Sequence, residues 1–365
     1  MWKFSLIFRV GSIFLASAIV LGCEYREEKN DFGLDILVEM KMTSEEMSII
    51  DTGAYTKTPV NIPVWINGEK FLGKVSYAGA TQVDSLKRSF EVILSSSFNE
   101  RQVYRLSAMN GDLSTLRAMT VFHAFSTAGF LVPEIKPAAV WINGEYAGLF
   151  LLMSVYDQAY FDRRKIAPVQ LYQAENGIGD LSADTSLKRA FSVKLGSVGK
   201  VDLARTTALI AANPTMENCD ALEKVVNLDN VMKYMAISAL LGNRDGIVNN
   251  YFLLRTASDS RLQVLPWDLD LTLYEQDSPT DGSIFVENAL FYRFFSDNTC
   301  GRSYGDVYTE IQSQLKEANL ENFSREYAEH IRDAFEADWF LSGGQRTLDE
   351  HLAEISTFLN QALGY

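Results

Sequence analysis

The chain has 365 residues, of which 47% are apolar and 22% are charged, and its formal net charge is −14. This length and composition fit one large globular domain or two lobes. The acidic surface argues against binding to nucleic acid and against membrane docking through a polybasic patch. A site for phosphate groups would therefore need local positive charge or metal ions. The three cysteines and three histidines form no pair at metal-ligand spacing, which argues against a zinc site.

The first 22 residues have the pattern of an export signal. Lys3 and Arg9 precede an apolar run of 12 residues, Val10 to Leu21. This run is too short to span the hydrocarbon core of a membrane, which is about 30 Å thick. The run ends in Val20-Leu21-Gly22-Cys23, which resembles a bacterial lipobox. The sequence thus predicts a signal peptide over residues 1–22 and an extracytoplasmic bacterial lipoprotein, anchored to a membrane by lipid on Cys23. A plain secretory signal with an incidental cysteine is the alternative.

Two further expectations concern the segment after the signal peptide and the remaining cysteines. Residues 23–58 are predicted to form a charged tether and then an edge strand from Asp35 to Met42, where apolar and polar residues alternate weakly. Once Cys23 is assigned to lipid, Cys219 and Cys300 remain, and outside the cytoplasm they could form a disulfide. Nothing in the sequence brings these two cysteines together, so the pairing is left open.

Residues 59–178 are predicted to form a strand-rich lobe. Asn67-Gly68 and Asn143-Gly144 each separate two runs in which apolar and polar residues alternate. This is a strong hairpin signal, because both central positions of a two-residue turn favour positive φ. A single helix is predicted in this lobe, with Ser114 as its N-cap and Gly129 just past its end.

The second half, residues 179–365, is predicted to be mainly helical. A helix from Asn227 to Leu241 has a broad apolar face and ends at Gly242. The predicted fold class is therefore α+β, with an antiparallel-sheet N-lobe and a mainly helical C-lobe in a two-lobed, kinase-like arrangement. Lys87 and Arg88 begin a predicted strand of the N-lobe and are the best candidates for binding the phosphates of a cofactor. Solvated charges at an exposed strand end are the alternative.

A polar hairpin between Asn243 and Asp270 carries the candidate chemistry. Asp245 and Asn250 precede its first strand, and Asp268 and Asp270 follow its second strand. Because a hairpin brings its two ends together, the oxygens of these side chains should converge, as a hard divalent cation requires. The order Asp-x-x-x-x-Asn, strand pair, Asp also matches that of the catalytic-loop Asp, the catalytic-loop Asn and the metal-binding Asp of protein kinases.

Phosphoryl transfer gives each of these residues a role. Asp245 would accept the proton of a substrate hydroxyl, Asn250 and Asp268 would ligate the metal, and Asp270 would be a second metal ligand or a structural acceptor that holds the loop. Two other readings stay open. Asp268-x-Asp270 also fits a Mn²⁺-dependent glycosyltransferase, which a parallel, Rossmann-like strand pattern before the motif would support. The same residues could also be ordinary turn formers at strand ends.

Four blocks of this sequence also resemble a known family, the CotH-type kinases, which are named for a spore-coat protein kinase. Lys87 to Val92 is similar to the family's basic strand, and Asp112 to Arg117 to the start of its helix. Ile142 to Leu151 is similar to its Asn-Gly-Glu-Tyr hairpin, and Asn243 to Asp270 contains its Asn-x-Asp, Asn-Tyr and Pro-Trp-Asp-x-Asp motifs. The resemblance runs from about Val60 to Leu273 and continues more loosely to the C-terminus.

The resemblance implies an atypical protein-kinase fold that uses ATP with Mg²⁺ or Mn²⁺. By position it makes Asp245 the catalytic-loop aspartate and Asn250 and Asp268 the metal ligands. The predicted function is then an exported, membrane-anchored kinase that transfers the γ-phosphate of ATP to Ser or Thr hydroxyls. Its partner would be a protein substrate or a cell-surface protein.

The chain departs from the family pattern at three places, all in the nucleotide-facing lobe. Ser154 stands where the family usually has Glu, and Gln173 replaces the Lys of a Leu-Tyr-Lys stretch. The segment Ala78-Gly79-Ala80-Thr81 replaces an Arg-Gly-Asn-Ser loop. These departures favour the rival hypothesis that a catalytically degenerate kinase fold acts as a cell-surface binding or adhesion module.

Overall fold

A computed structural model of the protein describes residues 29–79, 85, 87–212, 215–274, 282–296, 303–341 and 346–364. The predicted signal peptide and Cys23 lie outside these residues, as does Cys300. Cys219 is disulfide-bonded, but its partner is not among the described residues, so the question of pairing with Cys300 stays open. In this part of the chain, no helix is both long enough and apolar enough to cross a membrane.

Strands and helices are interspersed, which confirms the α+β class. The strands of the described residues are β1 (Ile36–Met40), β2 (Val60–Ile66), β3 (Glu69–Ala78), β4 (Ser89–Phe98), β5 (Arg101–Ser107), β6 (Ile135–Ile142), β7 (Glu145–Ser154), β8 (Pro168–Ala174), β9 (Phe191–Leu195), β10 (Tyr251–Thr256) and β11 (Gln263–Pro266). The α-helices are α1 (Ser44–Thr52), α2 (Leu116–Thr127), α3 (Gln158–Arg163), α4 (Leu187–Ala190), α5 (Val201–Ala211), α6 (Met216–Glu223), α7 (Leu228–Leu240), α8 (Ala289–Ser296), α9 (Tyr304–Glu317), α10 (Leu320–Glu336) and α11 (Leu348–Leu363). Two 3₁₀ turns span Gly282–Glu287 and Trp339–Leu341.

The first seven strands close into a barrel in the order β1-β2-β3-β4-β5-β7-β6. Every neighbouring pair is antiparallel except β1 and β6, which run parallel with Val38 opposite Val140. The prediction of an edge strand from Asp35 to Met42 is therefore wrong, because β1 is paired on both sides. Its pairing with β6 joins distant parts of the chain, and no local sequence signal encodes it.

Both predicted Asn-Gly turns are confirmed, and their asparagines have a second use. Asn67 has φ 49° and Asn143 has φ 52°, and each is followed by a glycine that also has positive φ. The side-chain oxygen of Asn67 accepts a hydrogen bond from the amide of Leu37 at 2.8 Å, and that of Asn143 accepts one from Met42 at 2.7 Å. The two turns thus hold both ends of β1 and help to close the barrel.

Strand β7 is the wall that the barrel shares with the helical part of the chain. Phe150 and Leu152 belong to the apolar core inside the barrel. Leu149, Leu151 and Met153 belong to the larger core that the helices and the second sheet form. This is the period-two alternation of a strand that is buried on both faces. The barrel and the helical layers are therefore packed through one strand.

The second sheet has the order β11-β10-β8-β9, and all of its neighbours are antiparallel. It carries the hairpin of β10 and β11, which the sequence predicted. Strand β9 and helix α6 were not predicted. Residues 180–199 look polar and weakly patterned, but five of them form β9. The bounds of the predicted lobes at residues 58 and 178 stay predictions.

A buried ion pair fastens the barrel to the C-terminal helices. Lys87 is only 3% exposed, and its ammonium donates hydrogen bonds to the carbonyl of Leu149 and to Asp338, both at 2.6 Å. Asp338 follows α10 and also accepts the amide of Leu149 at 3.0 Å. Removing one partner of such a pair leaves an uncompensated buried charge, which is far more costly than losing an exposed pair.

We therefore expect Asp338→Ala to lower the free energy of unfolding by about 3–5 kcal/mol, because it leaves the Lys87 ammonium buried without its carboxylate partner. The double variant Lys87→Met/Asp338→Ala should recover much of that loss. Asp35→Ala is the matched control, since it breaks the Lys136–Asp35 pair, in which both side chains are more than half exposed, at a cost below about 0.5 kcal/mol. Urea unfolding measures all three variants, and equal losses in Asp338→Ala and Asp35→Ala would contradict the account.

Candidate active site

The loop that follows α7 is fixed by buried polar side chains. The side-chain oxygen of Asn243 accepts the amide of Gly246 at 3.1 Å, and its nitrogen donates to the hydroxyl of Ser238 at 3.2 Å. The hydroxyl of Tyr234 donates to the carbonyl of Gly246 at 2.8 Å. A Cβ at Gly246 would collide with the Asn243 amide. Asn243, which the sequence showed only as a polar loop residue, therefore sets the shape of the loop that carries Asp245.

The far side of the same loop is also tied down. The side-chain amide of Asn288 donates to the carbonyl of Ile247 at 2.6 Å and to that of Gly179 at 3.2 Å. The amide of Gly179 in turn donates to the carbonyl of Val248 at 2.8 Å. Because these backbone groups are satisfied inside the protein, the loop has one well-defined path.

Asp245 and Asn250 meet, as the hairpin prediction requires. The side-chain nitrogen of Asn250 donates to a carboxylate oxygen of Asp245 at 2.6 Å. This orientation leaves the amide oxygen of Asn250 as an available acceptor or ligand. Burial raises the pKa of Asp245, the negative charge of Asp268 raises it further, and a hydrogen bond from Asn249 opposes both.

Asp268 reaches the same end of the hairpin from the second strand. Tyr251 pairs with Pro266, and the amide of Trp267 donates to the carbonyl of Asn250 at 3.1 Å. Asn250 and Asp268 both lie in the left-handed region, with φ 51° and 53°. Backbone of this kind is uncommon outside glycine and concentrates at functional sites. The hairpin therefore brings Asn250 and Asp268 together through its register.

Asp270 lies deeper than the other three residues. It is 4% exposed, and its carboxylate accepts the amide of Gly111 at 3.0 Å. Burial and the charge of Asp268 raise the pKa of Asp270 to about 7. Asp270 therefore has both features that its two predicted roles require, a structural hydrogen bond to the loop before α2 and a carboxylate beside Asp268.

The donor set suits a divalent cation. Burial raises the pKa of both Asp245 and Asp270, and the charge of Asp268 raises both further, which indicates that the three carboxyl groups interact with one another. Hard cations such as Mg²⁺ take carboxylate and amide oxygens of this kind. Among the described residues, no three His, Cys, Asp or Glu side chains are close enough together to hold one ion. A bound cation would therefore need the Asn250 amide or oxygens from a substrate to complete its coordination.

A buried charge network supports the loop behind Asp270. Asp112, next to Gly111, accepts the amide of Arg117 at 2.7 Å. The guanidinium of Arg117 donates to the carbonyl of Leu273 at 3.2 Å and forms an ion pair with Glu354 at 2.5 Å. This network links the start of α2 and helix α11 to the end of the Asp268–Asp270 loop. Its one sign in the sequence is the Asp112–Arg117 block of the family resemblance.

Lys87 and Arg88, the predicted phosphate-binding residues, line a cavity of about 390 Å³ together with Tyr77, Tyr146 and other side chains. Lys87 is held by Asp338, as described above. The guanidinium of Arg88 pairs with Asp51 at 2.8 Å and lies 4.7 Å from the centre of the Tyr77 ring. Each cation thus already has a carboxylate partner, and neither contacts the hairpin in the described part of the chain. Their assignment to phosphates stays a prediction.

Arg105, a cation that the sequence analysis did not single out, lies beside the site. Its guanidinium carbon is 5.8 Å from the centre of the Trp267 ring, next to Asp268. A Cβ built on Gly79, the second residue of the Ala78–Thr81 segment, would lie 3.8 Å from Nη2 of Arg105. Arg105 is half-buried, forms no ion pair within the described residues, and lies opposite Glu91 in the β4–β5 register. In the sequence it is one charge in an alternating strand, so no motif marks it.

Comparison with known proteins gives matches over most of the chain. A family model described as "CotH kinase protein" matches residues 75–365, which is more than half of the sequence. Inner spore coat protein H of Bacillus subtilis (strain 168) is 27% identical over 229 residues, which make up 59% of this chain and 62% of that relative. The crystal structure of the Helicobacter pylori proinflammatory kinase CtkA is 12% identical and has a TM-score of 0.34, over 83% of this chain and 87% of that one.

The chain therefore spans less than two thirds of the length of its spore-coat relative. The family match, in contrast, runs from β3 to the C-terminal residue and includes the hairpin that joins Asp245, Asn250, Asp268 and Asp270. All four blocks on which the resemblance rests fall within it. The chain belongs to the CotH kinase protein family.

Proposed function

We propose that this protein is a kinase that transfers the γ-phosphate of ATP, with Mg²⁺ or Mn²⁺, to a Ser or Thr hydroxyl of a protein. One observation carries the proposal. The β10–β11 hairpin brings Asp245, Asn250 and Asp268 together in the order that phosphoryl transfer uses. The antiparallel sheet that holds this hairpin gives no support to the glycosyltransferase alternative, which would need parallel strands before Asp268.

Asp245 is the proposed proton acceptor. Burial and Asp268 raise its pKa, which makes it a better base for a hydroxyl proton than an exposed carboxylate. Its hydrogen bond from Asn250 fixes the direction of the carboxylate. Asn250 and Asp268 would hold the cation, and Asp270 would hold the loop through Gly111 and add negative charge. When bound, the cation neutralises the charge that develops on the transferred phosphoryl group.

Arg105 is the cation that we propose to contact the phosphates. It lies over Trp267, one residue before Asp268, and also borders the segment that replaces the family's Arg-Gly-Asn-Ser loop. Unlike Lys87 and Arg88, it forms no ion pair with a carboxylate of any residue that the structure describes. An arginine in this position can bind a phosphate through two donors in a fixed geometry.

We further propose that the protein is exported and anchored by lipid on Cys23, with a protein substrate or a cell-surface protein as its partner. The lipobox-like Val20–Cys23 segment supports this part of the proposal. A binding or adhesion module is the second candidate function. The observations that support this second candidate are the pairing of Lys87 and Arg88 with carboxylates and the presence of Ser154 and Gln173.

The catalytic roles predict that Asp245→Ala and Asp268→Ala each lower the incorporation of labelled phosphate from ATP and Mg²⁺ by about 100-fold or more. Asp333→Ala, which removes an exposed carboxylate near the C-terminal end of α10, is the matched control and should leave incorporation unchanged. Circular dichroism checks that each variant is folded. Incorporation that survives both site changes would rule out the proposed roles.

The phosphate contact predicts that Arg105→Ala raises the KM for ATP by about tenfold, the effect of one charge-assisted contact. Arg88→Ala removes an equal charge from the cavity at Tyr77 and should change KM by less than about twofold. Initial-rate kinetics at varied ATP concentration measure both. The reverse pattern, in which Arg88→Ala raises KM and Arg105→Ala does not, would return the phosphates to the Lys87–Arg88 site.

A further inference from the structure

Another cavity, of about 370 Å³, lies at the opposite end of β10 from Asn250. Three cationic side chains line it: Arg205 from α5, Lys224 just after α6, and Arg255 from β10. Asp202 is the carboxylate in its lining. A local excess of positive charge is notable in a chain whose net charge is −14. The cavity therefore favours an anionic ligand against the field of the whole protein.

Two of the three cations of this cavity have no carboxylate partner among the described residues, and the third, Arg255, forms a long ion pair with Asp202. Arg205 and Lys224 are exposed and form no ion pair with another described residue. Nε of Arg255 lies 3.5 Å from Asp202, and both of the facing atoms are buried without a hydrogen bond. The other oxygen of Asp202 already accepts the hydroxyl of Tyr172. Buried polar atoms without partners are costly, so an incoming group that bonds to Arg255 would relieve that cost.

The surroundings of the cavity also contain exposed apolar side chains. Val201, in the lining, is 80% exposed, and Val198, between the lining residues Ser197 and Gly199, is 88% exposed. Gln170 forms part of the floor, and its amide is satisfied by both backbone groups of Ser197. The cavity thus offers cations at its centre and apolar contacts at its rim.

We propose that this cavity is a docking site for an acidic side chain of the protein substrate, flanked by an apolar residue. The proposal deepens the kinase function above and rests on it for the identity of the substrate. A peptide fits better than a lipid surface, because the cations line a concave pocket and number three. Docking to an anionic membrane generally uses clusters of four to eight basic residues, and the net charge of this chain opposes it.

The position of the cavity sets a spacing in the substrate. Asn250 and Arg255 are five residues apart along β10, which corresponds to about 17 Å. An extended peptide covers that distance in about five residues. Because β10 is paired on both sides and its residues Tyr251 to Leu254 are buried, the peptide would follow the protein surface, so the acidic residue would lie at least five residues from the hydroxyl that is phosphorylated. Such a contact, remote from the reacting atoms, selects and positions the substrate.

The test uses two fluorescein-labelled peptides that contain one serine and, five to six residues to either side of it, either Glu-Val-Glu or Gln-Val-Gln. Fluorescence anisotropy measures their binding to the full chain without nucleotide. We expect the Glu peptide to bind about tenfold more tightly than the Gln peptide. Arg205→Ala/Lys224→Ala should remove that preference. Lys188→Ala/Arg189→Ala removes the same charge from the neighbouring α4 and should preserve it.

Each outcome decides the proposal. Equal affinity for the two peptides would overturn it, as would a preference that survives Arg205→Ala/Lys224→Ala or is lost equally in the α4 control. Binding to phosphatidylserine vesicles through Arg205 and Lys224, without any peptide preference, would assign the cavity to lipid instead. Because Asp245→Ala should bind the Glu peptide normally, a failure of docking can be distinguished from a failure of catalysis.

Discussion

The electrostatic repulsion among Asp245, Asp268 and Asp270 is the constraint on which the rest of the site depends. Burying these carboxylates and bringing them together are both unfavourable, and the raised pKa values of Asp245 and Asp270 express the two costs. The protein holds them there with hydrogen bonds that the amide of Gly246 donates to Asn243 and the amide of Gly111 donates to Asp270. A divalent cation would offset the repulsion, which is consistent with the metal binding that we propose for this loop.

Strand β7 joins the barrel to the helical core. One face of this strand fills the barrel and the other fills the helical core. The Lys87–Asp338 pair stabilises that junction through hydrogen bonds to Leu149. Strand β5 pairs with β7 in the barrel, and its Arg105 lies over Trp267, the residue before Asp268. The barrel therefore contributes a cation to the edge of the site, while the second sheet contributes the carboxylates. This division explains why a positive group for phosphates need not come from the hairpin itself.

Local signals predicted much of this structure. The Asn-Gly turns, the helix before Gly242 and the hairpin of the site all follow from short patterns, and the structure contains each of them. Closure of the barrel was not predictable, because Val38 and Val140 pair across about a hundred residues. Arg105 was missed for the same reason, since only tertiary structure brings it to Trp267. Helix α1 could have been found, because Thr43 and Glu46 form a capping box that is visible in the sequence.

A crystal structure of the full chain with Mn²⁺ and a non-hydrolysable ATP analogue tests the central claim most directly. We expect an anomalous manganese peak about 2.1 Å from oxygens of Asp268 and Asn250. The γ-phosphate should face Asp245, and a phosphate oxygen should contact Arg105. The Asp268→Ala variant should lose the peak. Nucleotide bound in the cavity between Arg88 and Tyr146, with no manganese at the hairpin, would contradict the account.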